Sequence, residues 1–156
     1  MKNFFALILS IIICELAGAI GTIFTVSAIP SWYSTLIKPA LNPPAWVFGP
    51  VWTTLYALMG IAAFLVWKKG WESKDVKIAL GIFATQLVLN AAWSVLFFDG
   101  HSAFWALMDI SALWLAIALT MLRFERISKP AAYLLVPYLF WVTFATYLNF
   151  SIVILN

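Results

Sequence analysis

Five nearly uninterrupted apolar runs, at residues 3–29, 46–67, 76–98, 103–122 and 130–155, occupy most of this 156-residue chain. Each is long enough to cross a hydrocarbon core of about 30 Å, which takes roughly 20 helical residues. Inside lipid a backbone must satisfy its own N–H and C=O groups, so only helices and closed barrels can span it. Barrel strands would show alternating polarity over about 10 residues, whereas these runs are continuous. The fold class read from the sequence is therefore an all-α integral membrane protein, a five-transmembrane-helix bundle forming a single domain over residues 1–156. Composition agrees: 65% apolar and 10% charged residues, against about 45–50% and about 25% in soluble domains.

The net charge of +3 is not a nucleic-acid footprint, because the basic residues sit in short loops. Lys2, Lys68, Lys69, Lys74, Lys77, Arg123, Arg126 and Lys129 fall on one side of the predicted topology, and only Lys38 falls on the other. By the positive-inside rule the amino terminus is cytoplasmic and the carboxyl terminus outside. The expected location is multi-pass in a prokaryotic cell membrane. Lys2, an apolar core and Ala17-Gly18-Ala19 imitate a signal peptide, but Glu15 interrupts that core, and a retained first span is expected. Ala17, Gly18 and Gly21 share a helical face suited to close packing. Cys14 is the sole cysteine and His101 the sole histidine, so no metal site is expected.

Between the first two spans lies Lys38-Pro39-Ala40-Leu41-Asn42-Pro43-Pro44-Ala45-Trp46-Val47-Phe48-Gly49-Pro50. Each proline fixes φ and removes a donor, and the residues before them are pushed toward extended geometry. A stiff irregular arm is predicted over residues 37–46, with Gly49-Pro50 in the first turn of the second span. The whole loop, about residues 30–45, is long for a compact bundle and fits a lid carrying Lys38, Pro39, Pro44 and Trp46.

Depth arguments bring polar and aromatic groups to one level beneath that arm. Trp52 lies about 9 Å, Asn90 about 12 Å and Asp109 about 9 Å below the outer ends of their helices. Gln86, Asn90, Trp93 and Phe97 form one stripe of the third span, Pro137, Trp141, Ala145, Leu148 and Ile152 one of the fifth, and Trp52, Tyr56 and Met59 face them from the second. An aromatic pocket with few polar anchors is one reading. Helix packing for the tryptophans, and an Asn90–Asp109 hydrogen bond joining two spans, is the other. Trp32, Tyr33, Trp46 and Trp105, with Trp67 and Trp71 at the opposite end, suit interfacial belts.

Trp32-Tyr33, the arm through Trp52, Leu89-Asn90-Ala91-Ala92-Trp93, and Pro137-Tyr138-Leu139-Phe140-Trp141 with Ala145, Thr146, Leu148 and Asn149 resemble the TspO/MBR family of tryptophan-rich sensory and translocator proteins. The resemblance covers essentially the whole chain. It implies a five-helix fold, frequently homodimeric, that binds protoporphyrin IX, haem and synthetic hydrophobic ligands. In some bacterial members it implies light-dependent porphyrin breakdown. Carried over by motif, the ligand-binding residues are Tyr33, Pro43, Trp52, Asn90, Trp93, Trp141 and Ala145, with Asp109 beside them, and Trp52 and Trp141 match the tryptophans linked to degradation. No basic residue follows Lys129, so the sterol motif of mammalian members is incomplete here.

The function expected is a membrane receptor or sensor for porphyrins, with a tetrapyrrole or similar hydrophobic molecule, membrane lipid and a second copy of the chain as partners. No resident cofactor and no nucleic acid is expected. A transporter of tetrapyrroles is the rival reading, although the chain lacks the internal repeat common in secondary transporters. No activated nucleophile, catalytic dyad or metal constellation points to a dark enzymatic reaction.

Overall fold

The computed structural model describes residues 2–156, and within them every regular element is a helix. Helix α1 spans Lys2–Ala28, α2 Trp32–Thr35, α3 Ala45–Trp67, α4 Lys74–Ser94, α5 Ala103–Ile127, α6 Lys129–Leu134 and α7 Val136–Leu155. Five segments are long and apolar enough to cross a membrane: Asn3–Ala28, Ala45–Trp67, Lys74–Asp99, Ala103–Ile127 and Lys129–Leu155. The protein is an integral membrane five-helix bundle, as its apolar runs require.

Where the elements differ from expectation, local chemistry gives the reason. Helix α3 starts at Ala45, capped by Pro44 in extended geometry, so Pro50 falls just beyond the first turn. The N–H missing at Pro50 would have bonded the carbonyl of Trp46, whose side chain is 76% exposed at the helix end. Helix α4 does not run as a regular helix to Phe98. It passes into a π-helical turn, Val95–Asp99, closed by the Gly100 N–H donating to Val95 O at 2.8 Å. The widened turn buries both Phe97 and Phe98, which a regular helix would point in directions about 100° apart. At Gly100 a Cβ would meet Leu96 O at 2.9 Å, so the close approach requires glycine. His101 follows with φ +47°.

Helix α5 continues to Ile127 rather than ending near Leu122, because nothing in Arg123–Ile127 breaks a helix and its charges lie beyond the apolar run. The last span is divided. Pro137 lacks the N–H that would reach Tyr133 O, and the chain bends at Leu135 between α6 and α7.

In the bundle α1 packs on α3 and α4, α4 on α5, and α5 on α6 and α7, while α3 meets α6. A close backbone-to-backbone approach joins α1 and α3 toward the end away from the arm. There a Cβ on Gly60 would lie 2.5 Å from the Cα of Ile11, and Ser10 Oγ donates to Gly60 O at 2.8 Å. Further along, Gly18 lies against the Tyr56 ring and Gly21 against Ser94 Oγ, so the small face of α1 does serve packing. Gly60→Ala is therefore expected to destabilise the protein by about 1–3 kcal/mol, because backbone rather than a movable side chain blocks the added methyl. Gly81→Ala, where nothing lies within 4 Å, is expected to be neutral, and thermal unfolding of both variants in detergent checks the contrast.

Candidate functional site

Opposite that tight contact the helices part around a cavity of about 1100 Å³. Its walls come from α1, α3, α4, α5, α7 and the arm. The reason is visible in the packing partners: α3 is held by α6, the short helix that opens the last span at the far end, which leaves α3 and α7 to diverge toward the arm.

The aromatic wall has two groups of rings, one around Trp52 and Trp141 and one around Trp93. Trp52 stacks on Tyr56 with ring centroids 5.4 Å apart and meets Trp141 edge-on at 6.5 Å and 89°. Phe48 approaches the other side of Trp141 at 5.9 Å. Trp93 stacks on Phe97 at 5.0 Å, and its indole Nε1 donates to Asn149 Oδ1 at 3.0 Å. Asn149 in turn donates to Ala103 O at 2.8 Å, which fixes the start of α5 relative to α7. Trp141 Nε1 is buried and has no hydrogen-bond partner.

Behind this wall runs a chain of buried polar groups. The Tyr56 hydroxyl donates to Asn90 Oδ1, Asn90 Nδ2 donates to the Tyr138 hydroxyl at 2.9 Å, and that hydroxyl donates to Gln86 Oε1 at 2.8 Å. Three helices are joined by it. Asn90 is thus committed on both sides of its amide and does not pair with Asp109. Asp109 lies off the cavity wall, because Ile110 and Leu113 take the cavity-facing side of α5. Its Oδ2 is buried without a partner.

Across the mouth the arm is a one-turn helix, α2, followed by an irregular segment up to Pro44. Trp32 packs edge-on to Phe97 at 5.3 Å and stacks on His101 at 4.8 Å. Tyr33 lies against Phe97 and Phe98 and donates its hydroxyl to Asn42 Oδ1 at 3.0 Å. Burial pushes the Tyr33 phenol above its ordinary range, and the hydrogen bond to Asn42 draws it part of the way back. It therefore remains a neutral donor at physiological pH. Lys38 Nζ sits over the Tyr33 ring, 4.6 Å from its centroid, and donates to Leu36 O at 3.2 Å. At the far edge Asn156 accepts from the Ile37 N–H at 2.9 Å and donates to Ile37 O at 3.0 Å. The arm is tied to the end of α7 as a strand would be tied to a neighbour.

Of the residues singled out from the sequence, Tyr33, Lys38, Pro43, Pro44, Trp52, Asn90, Trp93, Trp141 and Ala145 line this cavity. Pro39 belongs to the arm but does not line the cavity, and Trp46, expected on the arm, lies instead in the first turn of α3, exposed and off the cavity wall. Sequence reasoning passed over the contribution of α1 and the residue that follows it, where Glu15, Gly18, Thr22, Thr25 and Ile29 form the remaining wall. Their spacing of three to four residues was the available signal.

Fold and cavity together define a polytopic helical membrane protein with an aromatic-walled cavity under a proline-rich arm. The profile of the TspO/MBR family matches residues 10–155, and the chain belongs to that family. It is 48% identical over 155 residues to the tryptophan-rich protein TspO of Chlorobaculum tepidum, covering 99% of this chain and 98% of that one. It is 41% identical over 137 residues to the translocator protein of Bos taurus, covering 87% and 81%. With the tryptophan-rich sensory protein of Cereibacter sphaeroides it shares 42% over 125 residues, covering 80% and 77%.

Loss of the tie at Asn156 is expected to free the arm without unfolding the bundle. In Asn156→Ala, hydrogen exchange at the Ile37 amide should quicken by about tenfold or more, the effect of losing roughly 1.4 kcal/mol of local hydrogen bonding. Exchange in α5 should be unchanged.

Proposed function

We propose that this protein is a membrane receptor or sensor that binds porphyrins, protoporphyrin IX and haem among them, and related flat hydrophobic molecules in the cavity beneath the arm. The observation that carries this reading is the joint presence of Trp52, Trp93 and Trp141 on the wall of one cavity. A flat conjugated ring gains from stacking on indoles and from burial, at roughly 25 cal/mol per Å² before ordering costs. The size supports it too, since pockets for ligands of this kind run to about 300–1,000 Å³. Carboxylates on such a ring are best satisfied at the mouth, where Lys38 supplies the cationic group on the cavity wall. Asn90 supports the site by holding Tyr56 in place rather than by pointing a free amide at the ligand.

The arm end faces outward in this proposal, on the strength of the eight basic residues at the other side of the topology. The protein works as a homodimer, as the family resemblance implies. Lys38→Gln is expected to weaken protoporphyrin IX binding by about two- to fivefold, the range for a partly exposed ion pair, and to flatten its salt dependence. Tryptophan quenching titrations at two ionic strengths measure both. An unchanged affinity and slope would remove Lys38 from the site.

A light-driven activity is favoured by one specific feature, the edge-on pairing of Trp52 and Trp141 at 6.5 Å. An excited porphyrin that takes one electron from either indole becomes a radical anion and leaves an indole radical cation, the opening step of ring breakdown. The ring does the difficult chemistry and the protein positions it. Under illumination, the Trp52→Phe, Trp141→Phe double variant is expected to bleach bound protoporphyrin IX at less than about a tenth of the wild-type rate, the loss expected when positioning groups are removed. Equal bleaching would sink the assignment.

Transport remains the rival reading, supported by the open side of the cavity: Thr22, Val26, Gly49 and Thr53 are on its wall and exposed on the outer face of the bundle. Uptake of labelled porphyrin into proteoliposomes distinguishes a carrier from a receptor.

A further inference from the structure

Glu15 is a carboxylate on the wall of the same cavity, at its deep end. It lies thirteen residues before Ala28, about 20 Å along the α1 axis from the arm end. Acidic groups at such depth are costly and are retained where they serve a site or meet a partner. No partner is supplied by the surrounding spans, because no Lys or Arg occurs at residues 39–67 or 78–122. Three hydroxyls on the same wall are committed elsewhere. Tyr56 donates to Asn90, Thr22 Oγ1 to Gly18 O at 2.9 Å and Thr25 Oγ1 to Gly21 O at 2.8 Å. Glu15 is half-buried on the cavity wall, with its hydrogen-bonding capacity unused by these groups.

We propose that the deep end of the cavity is a subsite for a cationic nitrogen, with Glu15 as its counter-charge. The cavity then has two polar ends of opposite sign, Lys38 at the mouth and Glu15 at the floor, separated by an aromatic wall. The ligand class it selects is a flat amphiphile that leads with a protonated amine and keeps any carboxylate at the mouth. An anionic group entering first meets a like charge in a poorly screened site and is rejected. This inference rests on the reading of the cavity as a ligand site and adds an orientation and a second ligand class to it.

The test compares 1-pyrenemethylamine with its neutral isostere 1-pyrenemethanol, using the full chain in nanodiscs of zwitterionic lipid. Binding is read by energy transfer from tryptophan to pyrene and corrected for partition into empty nanodiscs. Wild type is expected to bind the amine roughly tenfold more tightly than the alcohol, the size of one charge-assisted contact. Glu15→Gln is expected to bring the two within about twofold, and Glu15→Asp to keep part of the preference. If the wild type shows no preference, or if Glu15→Gln retains it, the subsite is overturned. Should Glu15→Gln fail to fold, the wild-type ratio and that of Glu15→Asp decide the matter. Protoporphyrin IX is titrated in the same preparations: its failure to bind wild type overturns the porphyrin reading alone, whereas a flat amine-to-alcohol ratio overturns the subsite alone.

Discussion

The hydrogen-bonded chain from Tyr56 through Asn90 and Tyr138 to Gln86 is the interaction on which the rest of the bundle depends. Apolar side chains have no reason to prefer each other over lipid tails, so burial alone cannot fix which faces of these helices meet. Polar groups can, because each needs a partner and finds it at one rotation and one depth. Tyr138 is fully buried, as are Gln86 and Asn90 nearly so, and together they set α3, α4 and α7 in register. Trp52, Trp93 and Trp141 then fall on one cavity wall as a consequence of that registration.

Much of this was legible in the sequence. Run length gave the five spans, and helical spacing gave the stripes carrying Asn90, Trp93 and Trp141, since both depend only on local repeat geometry. Other features depended on contacts between distant segments. The polar partner of Asn90 is a case in point: depth alone allowed Asp109, but Ile110 and Leu113 occupy the inward face of α5, and two tyrosines take the amide. The π-helical turn at Val95–Asp99 has no composition of its own, and it follows from the tertiary demand to bury Phe97 and Phe98 together. The pairing of Asn156 with Ile37 joins residues 119 apart, beyond the reach of any periodicity.

Family membership and cavity geometry contribute different things. The family explains why the proline-rich arm and the tryptophans occur together along the chain. The geometry explains how they cooperate: the arm is braced by Trp32 and Tyr33 on the buried phenylalanines and by Asn156 on α7, so it spans the mouth as a fixed cover with two attachments. Glycine placement sets the opposite end, where the backbone of α1 at Ile11 touches α3 at Gly60 and closes the cavity from below.

Between those two ends the cavity opens sideways along the seam of α1 and α3, where Thr22, Val26, Gly49 and Thr53 are exposed. That side of the protein touches acyl chains rather than water. For a molecule that dissolves in the bilayer, the quantity governing occupancy is then its mole fraction in the lipid, with the lipids themselves as competitors for the space. Apparent dissociation constants will scale with the amount of membrane in the assay, and comparison between preparations calls for affinities expressed per lipid rather than per litre.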